Sequence, residues 1–271
     1  MSSVIVIGGG PAGMMAAISA AECGARVSLL EKNEKLGKKL FITGKGRCNL
    51  TNAADIEEFF RAVISNPKFL YSAFYSFTNE QTIAFFESLG LKTKVERGGR
   101  VFPQSDHSSD VISALSRELS RRKADVLLHT EVKELIIEEG RAAGVLLSSG
   151  KKLYADAVIV ASGGISYPST GSTGDGYRFA ESCGHRVTEL SPALVPMEVK
   201  EWYAKELMGL SLRNIQIRIT EGKKKLYEEF GEMLFTHYGV TGPVILSASS
   251  VIGNRLKQKQ LTLHIDLKPA L

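Results

Sequence analysis

The hydrophobic pattern opens with four apolar, mostly β-branched residues at 4–7, then glycines, then an alanine-rich apolar stretch at 14–21. This order predicts a short buried strand, a sharp turn and a helix, with residues 26–30 as a second strand after Gly24. From Asp55 to Gly90, apolar residues recur at helical spacing, Phe59, Phe60, Phe69, Phe74, Phe77, Phe85 and Phe86 among them. Asn66-Pro67 interrupts the pattern, which predicts two or three helices packed through an apolar face. Gly98-Gly99 turns the chain into a short extended piece at 100–103, and Ser109-Asp110 is expected to cap a helix that runs to Arg121.

Residues 124–130 read as a third parallel strand reached through that helix. Alternating segments at 131–137 and 142–147, turning at Glu139-Gly140 and Ser149-Gly150, describe a small antiparallel meander. The meander leads into a buried strand at 156–161 that meets a second glycine pair, Gly163-Gly164. Beyond Pro196 the period changes: residues 215–219 and 261–267 alternate cleanly, with Gly222-Lys223 as a turn. The fold class is therefore α/β, a Rossmann-like parallel sheet plus β-meander over residues 1–194, with a helical segment at about 55–121. A second, mainly β domain begins over residues 195–271.

Composition narrows this picture only in places. With 271 residues and 44% hydrophobic composition, the chain can bury an ample core. No apolar run reaches the length of a membrane span, and the first strand begins too early for a signal peptide, so a cytoplasmic location without a membrane partner is expected. The net charge of +5 arises from 34 basic and 29 acidic residues spread along the chain. Its short basic clusters at 121–123 and 223–225 lack an aromatic stacking pattern, so no nucleic-acid partner is expected. Cys23, Cys48 and Cys183 are too few and too scattered for a disulfide framework or a zinc site, and no metal is expected.

The chemistry is concentrated at the first turn. Gly8-x-Gly10-x-x-Gly13 after a strand assigns three jobs: a tight turn, room for a phosphate, and close contact of helix with strand. The helix beginning there presents free N–H groups and a positive dipole end to a pyrophosphate. Glu31, eighteen residues beyond Gly13 at the end of the second strand, suits both hydroxyls of an adenine ribose and repels a 2′-phosphate. Alone, these features leave NAD and FAD equally open. The loop at 36–52 adds Lys38, Lys39 and Arg47 as phosphate-neutralising cations and Asn49 as a group that can reach a ring system. The same composition also serves a plain polar loop. Cys48, with no second cysteine two or four residues away, reads as a small packed residue rather than one of a dithiol pair.

The return of the meander to a second strand–glycine junction favours a flavin domain of the glutathione reductase class over a nicotinamide-only domain. The stretch 158–164 is similar to the flavoprotein Ala-Thr-Gly-Gly motif, with Ser162 in place of threonine. Together with Gly46-Arg47-Cys48-Asn49-Leu50-Thr51-Asn52, Gly99-Arg100-Val101-Phe102-Pro103, the glycine-rich run 165–177, Pro192-Ala193-Leu194-Val195-Pro196 and the Phe235-Thr236-His237 block, it resembles the BaiN/YhiN-like bacterial NAD(P)/FAD-dependent oxidoreductases. The resemblance implies a glutathione-reductase-type FAD-binding domain with the second domain inserted into it. It also implies that the chain stops short of the family's length, at Ala270-Leu271.

By that resemblance, Gly8, Gly10, Pro11, Ala12 and Gly13 surround the pyrophosphate of FAD, and Glu31 holds its ribose. Lys32 and Lys39 join the cofactor contacts, the backbone of Val132 meets adenine, Arg47 and Asn49 lie toward the flavin, and Ala161 and Gly163 close over the dinucleotide. The implied activity is hydride movement between flavin and a small organic substrate, with NAD(P)H as a transient reductant or oxygen as the second partner. A fumarate reductase or succinate dehydrogenase type of flavoprotein, and a dinucleotide-binding protein without turnover, are the alternatives. No catalytic residue is assigned. Tyr167, Asp175, His185 and His237 are the acids and bases within reach of the motifs, but Asp175 is expected to bind backbone N–H groups and His185 ends a helix.

Overall fold

A computed structural model describes residues 1–256 and 259–269. The expected chain end at Ala270-Leu271 lies outside the described residues. The chain forms two compact units, residues 1–187 and 188–271, which are taken in turn.

The first unit starts with β1 (Ser3–Ile7), α1 (Pro11–Glu22) and β2 (Arg26–Leu30). Pro11 fits the first turn of α1, where its missing N–H costs nothing. A short helix α2 (Lys38–Ile42) is followed by the two-residue strand β3 (Thr51–Asn52). Three helices come next: α3 (Ile56–Arg61), α4 (Tyr71–Ser76) and α5 (Asn79–Ser88). Asp55 caps α3 through the Glu58 N–H at 2.9 Å, and Thr78 with Gln81 forms a reciprocal capping box on α5. Strands β4 (Thr93–Val95) and β5 (Arg100–Pro103) pair with β3 as a small antiparallel sheet. Then come α6 (Ser108–Arg121) and β6 (Asp125–Leu127). The meander β7 (Val132–Glu138), β8 (Arg141–Leu147) and β9 (Lys152–Tyr154) leads to β10 (Ala157–Val160) and α7 (Asp175–Ser182).

The central sheet is parallel throughout, in the order β10-β1-β2-β6. Period-two alternation divides its side chains between two layers. Val6, Val27 and Leu29 face a core that contains Met14, Ala17 and Ile18 of α1 and Val111, Leu115 and Leu119 of α6. Ile5, Ile7 and Leu30 face the opposite core, built with Val132, Val145 and Leu147 of the meander and Phe179 of α7. The sheet is thus covered on both faces, as a parallel sheet requires.

Two expectations need correction. The helix at 108–121 is not capped by Ser109-Asp110: His107 occupies the cap position without a side-chain bond, and Ser109 and Asp110 lie inside the first turn. Ser108 instead donates its hydroxyl to the Phe41 carbonyl at 2.8 Å, tying α6 to the end of α2. The aromatics of 59–77 pack mainly on one another, Phe59 on Phe74 at 4.6 Å and Phe60 on Tyr71 at 4.5 Å, with Phe69 and Tyr75 exposed. Helices this short, separated at Asn66, offer no continuous stripe; Phe86 alone of the predicted phenylalanines is fully within the core.

Near the C-terminus of α6 a buried carboxylate stabilises the first unit. Glu118, 4% exposed, accepts from Arg121 and Arg122, and Arg122 also pairs with Glu22 of α1. The Arg121 hydrogen bond, opposed by burial and aided by Arg122, lowers its pKa from 4.5 to about 2. Because the folded value is depressed, the stabilisation is present above the unfolded pKa and is lost as pH falls from 4.5 toward 2. Glu118→Gln is expected to lose on the order of 1–2 kcal/mol at neutral pH. In urea titrations that deficit should shrink as the pH is lowered to about 3. A deficit unchanged with pH would contradict this assignment.

The second unit contains β11 (Met197–Glu198), the long hairpin β12 (Ser211–Glu221) and β13 (Lys224–Phe235), β14 (Gly239–Thr241), α8 (Pro243–Leu256) and β15 (Thr262–Asp266). Its sheet runs β11-β14-β13-β12-β15 with every pairing antiparallel. The core lies between this sheet and α8, where Ile217, Met233, Ile245, Ala248 and Ile252 are buried.

Candidate functional site

At the C-terminal ends of β10, β1, β2 and β6 the first unit forms a cleft of about 280 Å³. Ligands of open α/β sheets bind at this end of the strands. The three motif glycines meet different surroundings. Gly8 has φ +106°, and a Cβ there would lie 2.6 Å from the Ala161 carbonyl oxygen; at Gly13 it would lie 1.8 Å from the Gly8 oxygen. These two positions join strand, turn and helix. A Cβ on Gly10 would meet nothing within 4 Å, although Gly10, Pro11 and Ala12 all line the cleft. Gly10 also supplies no capping side chain to α1, and Pro11 has no N–H, so the N–H groups of Ala12 and Gly13 are left without a side-chain cap.

Glu31 is 7% exposed and forms part of the cleft wall. One carboxyl oxygen accepts from the Gly9 N–H at 2.6 Å; the other accepts from the Asn33 N–H at 2.8 Å and the Asn33 amide at 2.7 Å. A carboxylate has about four acceptor positions, so about one is left, and holding both ribose hydroxyls would require one protein donor to withdraw.

Of the other predicted contacts, Lys32, Lys39, Val132, Ala161 and Gly163 all line the cleft. Val132 is the first residue of β7 and is buried. The Oγ of Ser162, in the same wall, is buried and has no hydrogen-bond partner among the described residues. A buried polar atom left unpaired costs stability unless a ligand or water satisfies it. Sequence reasoning missed Asn33, Ser172 and Phe179; Asn33 is readable only through its spacing of two from Glu31.

Arg47 and Asn49 are placed elsewhere. The Arg47 guanidinium lies 2.5 Å from Glu96 and 2.6 Å from Asp106, and over the Phe102 ring at 4.1 Å. Lys94 completes the cluster, 2.6 Å from Asp106. Asn49, with its amide turned, donates to the carbonyls of Val101 and Thr51. Both side chains therefore brace the loop against β3 and β5, and neither lines the cleft.

Asp175 does line it, but its partners are side chains rather than the backbone N–H groups expected. Burial opposes its charge, but Lys32 and Thr173 outweigh it and hold the carboxyl below its ordinary range. Tyr167, His185 and His237 are exposed, and His237 stacks edgewise on Tyr238 at 4.5 Å.

Cys48 is buried at φ +60°, and burial pushes its thiol above its ordinary value, against a smaller opposing hydrogen bond with Thr43. Cys23 and Cys183 are exposed. Alkylation of the native protein is expected to label Cys23 and Cys183 and spare Cys48, as read by peptide mass spectrometry. Rapid modification of Cys48 would show that its loop opens.

A doubly covered parallel sheet, a meander returning to its edge and this glycine turn define a Rossmann domain. The chain belongs to the HI0933-like family, whose Rossmann domain model it matches over residues 2–258. It is 36% identical over its whole length to a 3-dehydro-bile acid delta(4,6)-reductase of Clostridium scindens, covering 66% of that protein. It is 30% identical over 99% of its length to a ribosomal RNA dihydrouridine synthase of Haemophilus influenzae, covering 65% of it. The chain thus spans slightly less than two-thirds of these curated relatives. Among solved structures, 3-ketosteroid delta1-dehydrogenase from Sterolibacterium denitrificans superposes with a TM-score of 0.57 at 16% identity, over 79% of this chain and 62% of that one. The open form of a flavocytochrome c3 fumarate reductase gives 0.53 at 20%, over 79% and 47%. Likeness at that identity is one of fold. Among the described residues no helix is long and apolar enough to cross a membrane.

Proposed function

We propose that this chain carries the dinucleotide site of an FAD-dependent oxidoreductase that saturates a carbon–carbon double bond conjugated to a carbonyl. The observation that carries the cofactor reading is Gly10, which lines the cleft together with Glu31 and where a Cβ has no neighbour within 4 Å. Free N–H groups of the first turn of α1 suit a pyrophosphate, Lys39 adds positive charge, and Glu31 retains acceptor capacity for a ribose hydroxyl. The backbone of Val132 borders the adenine end, and the unpaired Ser162 hydroxyl can donate to a ligand oxygen. When bound, FAD supplies a two-electron hydride carrier. The protein's part is to bind and orient it and to exclude water.

The substrate class rests on two relatives matched over nearly the whole chain. A 3-oxo bile acid with a Δ4,6 system and a uracil ring both present a double bond conjugated to a carbonyl. One hydride at the far carbon and one proton at the near carbon saturate one such double bond, once for uracil and twice for the full Δ4,6 system. Similarity to the ribosomal RNA dihydrouridine synthases reopens nucleic acid as a partner, against the expectation from charge pattern. NADH or NADPH as reductant is part of the proposal.

The test uses the purified protein with FAD under anaerobic conditions, adding NADH or NADPH and then either a Δ4-3-oxo steroid or uridine-containing ribosomal RNA. Bleaching of the flavin band by a nicotinamide and its recovery on one substrate is the expected result; the arm that recovers it identifies the substrate. A protein that binds FAD yet is reduced and reoxidised by none of these favours the non-catalytic alternative.

A further inference from the structure

Lys32 follows Glu31 directly at the end of β2. In nucleotide-binding Rossmann folds, a cation near the ribose-reading acid accommodates a 2′-phosphate. Lys32 lines the cleft beside Glu31, so the adjacent pair Glu31-Lys32 sends opposite signals about the 2′ position. The structure resolves the conflict through a distant segment. The Lys32 ammonium lies 2.7 Å from Asp175 Oδ2 and 2.6 Å from the Thr173 hydroxyl, both supplied by the stretch after the second strand–glycine junction. Thr173 also donates to the same carboxyl oxygen at 3.0 Å, and Arg178 lies 3.4 Å from the other.

The lysine is held in place by packing as well as charge. Gly171, at φ +95°, has room for no Cβ: the Asn33 amide would lie at 2.5 Å and the Lys32 Cε at 3.4 Å. Asn33 also donates to the Thr170 carbonyl at 3.3 Å. The stretch 170–175 therefore lies against Lys32 and Asn33, and both members of the ion pair are more than three-quarters buried.

We propose that Asp175 is a specificity-determining residue of the cleft: by engaging Lys32 it removes the cation a 2′-phosphate needs, so the uncompensated Glu31 carboxylate selects adenine nucleotides with a free 2′-hydroxyl. The inference rests on the adenine-dinucleotide reading above. It would keep 2′-phosphorylated nicotinamide dinucleotides out of the FAD site, so that any NADPH donor reaches the flavin from another approach.

The probes are ADP and ADP carrying a 2′-phosphate, titrated calorimetrically into the native chain. Wild type is expected to prefer ADP by at least about tenfold, which is about 1.4 kcal/mol. Asp175→Asn should narrow that preference about tenfold by tightening the 2′-phosphorylated ligand, and adding Lys32→Ala should restore it. Lys32→Gln, which keeps Asp175, should change the weak 2′-phosphate affinity by less than about twofold. A tenfold loss on Lys32→Gln would overturn the proposal, since it would mean that Lys32 is free to serve the phosphate. Unaltered discrimination in an Asp175→Asn protein that still binds ADP would also overturn it while leaving the dinucleotide reading intact. Failure of wild type to bind ADP would overturn that reading and the inference together.

Discussion

Gly13→Ala is expected to destabilise the protein by about 3 kcal/mol or more, whereas Gly10→Ala should leave stability unchanged and weaken dinucleotide binding about a hundredfold. The two glycines lie in one turn and differ in their surroundings. At Gly13 an added methyl would sit 1.8 Å from the Gly8 carbonyl oxygen, a backbone atom that cannot swing aside. Accommodation requires α1 to move off β1, which opens the core around Met14 and Ala17. At Gly10 the backbone is extended, at φ −75° and ψ −179°, so alanine suffers no strain. Its methyl enters only the open space that the proposed function gives to phosphate. Thermal melts and ADP titrations on the two variants separate these effects. Equal loss of stability in both would contradict the assignment of Gly10 to ligand rather than fold.

The second large effect is expected at Glu31. Removing its carboxylate in Glu31→Ala strands the Gly9 N–H and two donors of Asn33, and hydrogen bonds to a charged group contribute about 1.5–3 kcal/mol each. Part of that loss is recovered by water entering the cleft, so a net cost of about 2–4 kcal/mol is expected, together with loss of nucleotide affinity. Glu31→Gln should fall between: it keeps one acceptor oxygen but turns an N–H donor toward Gly9 or Asn33. Urea titration and calorimetry with ADP check both. A Glu31→Ala protein as stable as wild type would show that the turn does not depend on this side chain.

These residues were readable because their constraints are local. A β-branched run, three glycines at fixed spacing, an alanine-rich helix and an acid at the next strand's end all lie within 29 residues, from Ser3 to Glu31. The meander and its return at Gly163 were readable for the same reason, each strand carrying its own period and turn. In the sheet of β3, β4 and β5 only β5 carried a mark, the Gly98-Gly99 turn before it, since strands of two or three residues like β3 and β4 show no period. Arg47 is the clearest case of long-range information. Its loop suggested a phosphate ligand, but Glu96 and Asp106, 49 and 59 residues on, pair with it. Asp175 is the converse, for its partner Lys32 is 143 residues away and belongs to the cleft. Spacing motifs reveal backbone geometry, whereas charge pairing between distant segments appears only once the chain is folded.

We propose that the space beside Gly10 belongs to the pyrophosphate of FAD. The most direct test is to saturate wild type and Gly10→Ala with FAD, remove the excess by gel filtration, release the bound flavin by heat and quantify it by absorbance, with circular dichroism confirming that both are folded. Stoichiometric FAD from wild type and almost none from Gly10→Ala is the predicted result. Equal flavin from the two proteins, or none from folded wild type, would contradict it.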